Sequence, residues 1–175
     1  MQLVKNYDHV EWFGRGPFEN YRDRKTAAMI GRYKNKVVDH YVPYIRPQEN
    51  GYKTDNRWFS LREEDEGQGI YVVAEELLGF SVHHNLQEDF IPRVKIAITS
   101  EDGDGAQDNP DRVNVHVNDI NPKDLVSVNI DYDQMGVGGD DSWGKKTLKK
   151  YSLSESEYQY GFWLRLVTSD ENLGY

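Results

Sequence analysis

The sequence contains no cysteine. That excludes a disulfide framework, a thiolate nucleophile and cysteine-held zinc, and leaves the compartment open. It also lacks any long apolar run. The longest, Ile70-Tyr71-Val72-Val73-Ala74, falls far short of the roughly 18 residues a membrane helix needs, so no membrane partner is expected. Positive charge is scarce as well. Lys and Arg number 21 against 30 Asp and Glu, for a formal net charge of −9. A phosphate-backbone binder needs a positive surface, so no nucleic-acid partner is expected. Neutral ligands, cations or protein partners suit the balance better. Familiar catalytic signatures are absent too: there is no Gly-x-Ser-x-Gly, no phosphate-cradling Gly-rich loop and no His-Glu-x-x-His.

Aromatic residues, in contrast, are abundant: four Trp, twelve Tyr and six Phe make up 13% of the chain. They fit a half-buried pleated surface. They also suit sugar binding, because the C–H face of a pyranose packs on a flat ring. Periodicity of two dominates. Val94, Ile96 and Ile98 alternate with polar or small residues, as do Val113, Val115 and Val117, then Val126, Val128, Ile130 and Tyr132. Tyr158, Tyr160, Phe162, Leu164 and Leu166 form a last such series. Trp163 and Val167 lie on its other face, which predicts a strand covered on both sides. Helical signals are thin. Thr26 to Lys36 allows one or two amphipathic turns, and Glu75-Glu76-Leu77-Leu78 before Gly79 predicts a short turn. The 175 residues are one domain's worth. The expected fold is an all-β antiparallel sandwich of eight to eleven short strands, forming a single domain over 1–175.

Residues 100–111 are acidic and turn-forming. The segment starts like a calcium loop, but its twelfth ligand position would fall on Val113, so a solvated hairpin loop is the favoured reading. His83-His84 is an adjacent pair whose members point to opposite faces of a regular strand, one buried and one exposed. His116 is expected on the wet face of its strand.

Three segments concentrate turn chemistry and polar side chains. Trp12-Phe13-Gly14-Arg15-Gly16-Pro17-Phe18-Glu19-Asn20-Tyr21-Arg22-Asp23-Arg24 bends tightly, then carries a polar set able to satisfy itself and pin a loop. Tyr41-Val42-Pro43-Tyr44-Ile45-Arg46-Pro47-Gln48-Glu49-Asn50-Gly51 is extended and ends on a strong turn signal. Met135-Gly136-Val137-Gly138-Gly139-Asp140-Asp141-Ser142-Trp143 cannot hold a normal strand. Its glycines allow close backbone approach, and its tryptophan either touches a ligand or caps the fold.

Together these segments resemble, in order and spacing, the W-x-G-x-G-P-x-E-N-Y-x-D-R, Y-x-x-P-x-x-x-P-x-E-N-G and M-G-x-G-G-D-D-S-W motifs of the large β-galactosidases of glycoside hydrolase family 2. The likeness spans about Val10 to Leu166, apart from an unmatched stretch between Glu63 and Lys123. It implies the C-terminal part of such an enzyme, a piece of a galactose-mutarotase-like supersandwich whose first strands lie upstream of Met1. It implies that both catalytic glutamates lie on a separate (β/α)₈ barrel, so this chain has no catalytic residue. Trp143 would be the substrate-contacting residue, with Gly136, Gly138 and Gly139 shaping its loop. Asp140 and Asp141 are expected to anchor that loop. The Glu19–Arg24 and Glu49–Asn50 segments are read as structural support for the same end of the sandwich. The implied partners are a β-galactoside, the barrel and other domains of the same enzyme, and a second copy in a homo-oligomer. No cofactor is expected in this segment, because the Mg and Na ions common in the family bind elsewhere. No signal peptide is visible, which leaves a cytoplasmic or a periplasmic bacterial location. Two other readings follow the same features. An aldose mutarotase would use His83, His84 or His116 with a carboxylate, and a free-standing carbohydrate-binding module would rely on Trp143.

Overall fold

The computed structural model describes residues 1–91, 93–94, 112–113, 116–139, 144–169 and 171–173. The chain is mostly antiparallel sheet with almost no helix, as expected of an all-β sandwich domain. The strands among the described residues are β1 (Gln2–Val4), β2 (His9–Gly16), β3 (Met29–Lys36), β4 (Lys53–Arg62), β5 (Gly69–His83), β6 (Arg93–Val94), β7 (Arg112–Val113), β8 (Leu125–Asp131) and β9 (Phe162–Val167). Seven of them join one sheet in the order β1-β8-β5-β4-β2-β3, with β9 also paired to β5. β6 and β7 pair separately. Short 3₁₀ turns fill three connections by one device: Asp39, Asp89 and Asp119 each accept the backbone N–H three residues earlier. Among the described residues no helix is long and apolar enough to cross a membrane.

Alternation decides which face is buried. Val10 and Trp12 of β2, Phe59 and Leu61 of β4, Ile70, Val72, Phe80 and Val82 of β5, and Val126 and Val128 of β8 form one core cluster. Phe59 stacks on Phe80 with ring centroids 4.4 Å apart. Burying each such side chain stabilises the fold by about 1.5–3 kcal/mol. The neighbouring residues Trp58 and Tyr71 point to the opposite face and pack with Val167 and Leu173 in a smaller cluster.

Several expectations are corrected. Thr26 to Lys36 holds no helical turn, because Met29–Lys36 is β3, paired residue for residue with β2 from Gly16↔Met29 to His9↔Lys36. Arg32, Lys34 and Lys36 lie exposed at every second position, a period of two that outweighs the weak helical spacing. Glu75–Leu78 is not a turn. β5 continues through it as one strand and changes partners there: Gly69–Ala74 pairs with β9, and Gly79–His83 pairs with β8. Its pairing with β4 is irregular there: the register shifts on either side of Asn56, and between Asn56↔Leu78 and Trp58↔Val73 the extra residues lie on β5. The Asn56 amide fills that break by donating to Lys53 O at 2.7 Å and Leu78 O at 3.0 Å.

The last strand begins only at Phe162 and is not covered on both sides: Trp163 is 70% and Leu166 is 78% exposed, while Val167 is buried. Val113 belongs to β7, whereas Val117 starts a 3₁₀ turn and lies on no strand. His116 is exposed and precedes that turn; it does not lie on a strand face. Ile96, Ile98, Val115 and the acidic segment 100–111 lie outside the described residues.

Candidate functional site

Antiparallel register brings the three motif segments to one end of the sheet. The first leaves β2 at Gly16 and returns as β3 at Met29. The second enters β4 at Lys53, opposite Phe80. The third follows β8, whose end at Asp131 pairs with Gly79.

The first segment is built around Asn20, which is fully buried. Its Nδ2 donates to Phe18 O at 3.0 Å and Arg15 O at 3.4 Å. Its Oδ1 accepts from Thr54 N at 2.9 Å and Thr54 Oγ1 at 2.6 Å, and its backbone N–H donates to Tyr52 O. Every polar group of the side chain is therefore paired, as burial demands. Tyr21 stacks on Tyr52 at 5.9 Å. Glu19 ties this segment to the second: it accepts from the Tyr44 hydroxyl and, at 2.9 Å, from Gly51 N. Asn50 closes the second segment on itself, accepting from Val42 N at 3.1 Å and donating to Gln48 O at 3.0 Å.

Asp23 ties the first segment to the third. It accepts from Val137 N at 3.1 Å, Gly138 N at 2.9 Å and Thr147 Oγ1 at 3.2 Å. Burial pushes this carboxyl up, but the hydrogen bonds from Gly138, Val137 and Thr147 outweigh burial and hold it below the usual carboxylate range. Its neighbour Arg22 reaches Asp133 at 3.3 Å and donates to Ser152 O at 3.3 Å. The backbone N–H of Gly136 donates to Tyr151 O at 2.8 Å.

The glycines have distinct reasons. A Cβ on Gly136 would lie 2.5 Å from Asp23 Cγ, so this position must be bare for the clamp to close. Gly138 and Gly139 have φ of 69° and 104°, the left-handed region that favours glycine. Trp143, Asp140 and Asp141 lie outside the described residues. The described anchor of the loop is Asp23, which sequence reasoning had placed only in a self-satisfying polar set. Its carboxylate follows a tight bend, a signal that it binds backbone, but nothing in the spacing names Val137 and Gly138 as the partners.

The histidine pair divides only in part as expected: one ring is buried, but the other is half-buried, not exposed. His83 is buried and its Nε2 donates to Asn50 O at 2.9 Å. His84 is half-buried and its Nδ1 donates to Leu125 O at 2.8 Å. Carbonyls only accept, so both ring protons are committed to backbone. Burial lowers the His83 pKa to about 4. Among the described residues no three His, Asp or Glu side chains gather as a metal cage.

The family model described as β-galactosidase small chain matches residues 1–164. The chain belongs to that family. Among its relatives are the β-galactosidase of Priestia megaterium, 35% identical over 147 residues, and that of Pseudoalteromonas haloplanktis, 33% identical over 155 residues. These alignments cover 84% and 89% of this chain and 12% of each relative. The β-galactosidase of Vibrio cholerae is 33% identical over 160 residues, covering 91% of this chain and 13% of the relative. This small-chain domain thus spans about an eighth of the length of the relatives it matches.

Proposed function

We propose that this small-chain domain is the C-terminal β-sandwich of a family 2 β-galactosidase, part of a supersandwich, and that it completes the active site of an enzyme hydrolysing terminal β-galactosides. It contributes no catalytic residue. A retaining glycosidase needs two carboxylates about 5–5.5 Å apart, one as nucleophile and one as acid/base. Both belong to the barrel of the longer polypeptide, and the ligands of any Mg or Na ion lie outside this chain. The domain's contribution is Trp143, an apolar platform for the sugar at the mouth of the pocket. The observation that carries this reading is the Asp23 clamp on Val137 and Gly138. A loop that carries a ligand-facing aromatic must be held where it leaves the scaffold, because positional error in a contact residue is costly.

The hydrogen bonds from His83 to Asn50 O and from His84 to Leu125 O fix the two rings on the backbone at separate places. Assay of 4-nitrophenyl β-galactoside with the purified chain tests the division of labour. The expected result is no turnover by the chain alone and turnover once the remainder of the enzyme is added. Hydrolysis by the pure chain overturns the proposal.

A further inference from the structure

A cavity of about 780 Å³ opens between the Pro17–Phe18 turn and the start of β4. Lys53 lines it, with only 2% of its surface exposed. The ammonium donates to Gly51 O at 3.0 Å and to His40 Nδ1 at 3.4 Å, and it lies 5.6 Å from the centre of the Trp12 ring. His40 Nε2 donates to Asn35 Oδ1 at 2.7 Å, which leaves Nδ1 as an acceptor and the ring neutral. All these contacts are uncharged, and among the described residues Lys53 forms no ion pair. A buried cation is costly, and burial brings its pKa down to about 8 although the nearby Glu19 carboxylate favours the charge. Three N–H donors point from the amine and two are used, so one remains for a ligand.

The walls define what that ligand is. Glu19 and Asp39 oppose Arg24 and Lys53, so the lining carries no net charge. An anion would meet two carboxylates, and a cation would meet the ammonium and the guanidinium. Glu19 Oε1 accepts from Tyr44 and lies 4.0 Å from Arg24, so it keeps acceptor capacity. A donor and an acceptor facing one space suit hydroxyl groups, which give and take hydrogen bonds. Pro17, Phe18 and Val42 supply apolar wall, and Phe18 is 51% exposed. We propose that this cavity is a binding site for a neutral polyhydroxylated ligand of monosaccharide size, held between Lys53 and Glu19 with Phe18 against its apolar face.

The test is a titration of the ¹⁵N-labelled chain with D-galactose, with sodium phosphate as the charged probe. The four indole N–H signals report position independently. The proposal expects galactose to shift the Trp12 indole and the Gly51 amide with a midpoint of about 1–10 mM, as a ligand of this size allows. It expects phosphate to leave both unmoved. Lys53→Met and Phe18→Ala should each weaken binding at least about tenfold, the difference one good contact makes. Phe18 is half-exposed, so its variant retains the fold, which its spectrum elsewhere verifies. No shift of Trp12 or Gly51 up to about 100 mM galactose overturns the proposal. So does phosphate binding in place of galactose, or a galactose shift confined to the Trp143 indole, or unchanged affinity in both variants.

Discussion

Asp23 receives two consecutive backbone amides and a hydroxyl from a loop more than a hundred residues away. Hydrogen bonds to a charged acceptor each contribute about 1.5–3 kcal/mol, and amides left unpaired by truncation partly recover water at this half-buried site. Asp23→Ala is therefore expected to lower stability by about 1–3 kcal/mol in a urea titration. His83 supplies a second residue-scale prediction. Burial holds its folded pKa near 4, against an ordinary value of about 6.5 in the unfolded chain. Between those values the unfolded chain binds more protons, so stability falls as pH falls through that window. The loss from His83 reaches about 3 kcal/mol by pH 4. His40, buried and beside the Lys53 ammonium, is shifted in the same direction and adds to it. Denaturant midpoints measured from pH 7 to 4 should decline, and His83→Gln should flatten the decline. A midpoint unchanged across that range contradicts the burial argument.

At the scale of elements, β5 organises the sheet. Its fifteen residues pair with β4 along one edge and with β9 and then β8 along the other. Val72 lies in the core cluster and Leu166 points to solvent on β9. Val72→Ala should cost about 1–3 kcal/mol, whereas Leu166→Ala should change stability by less than about 0.5 kcal/mol. Thermal melts of the two variants measure the difference, and equal losses would mean that β9 is buried where the structure exposes it. The alternation of Val126, Val128 and Ile130 made β8 legible in the sequence, because one buried face leaves a period of two. β5 was misread as broken because Glu75, Glu76 and Leu77 are exposed where the strand exchanges one edge partner for another. Side-chain pattern records burial, and at a partner exchange burial changes while the backbone stays extended. β3 was missed for a related reason: its alternating charges lie on a wet strand with little apolar content to mark the period.

At the scale of the whole molecule, three separated segments converge because β2, β4, β5 and β8 share one register. That the segments belong together was legible as motif order, and the family match agrees with it. Which atoms join them was not. Glu19 to Gly51 N and Asp23 to Gly138 N are contacts between a side chain and a distant backbone, and sequence spacing carries no record of those. Lys53 was hidden for the opposite reason, since a lysine at the start of a strand reads as solvated until its surroundings are seen. The proposed role of this domain is to complete a galactosidase site through the loop that Asp23 holds. The most direct measurement mixes the chain with the longer polypeptide truncated just ahead of Met1 and follows galactoside hydrolysis, using wild-type and Trp143→Ala forms. The wild-type chain is expected to restore turnover, and the alanine form to lose at least about tenfold in kcat/KM, as removal of a sugar platform requires. Equal restoration by both forms would contradict it, leaving the domain a scaffold and Trp143 a cap on its end.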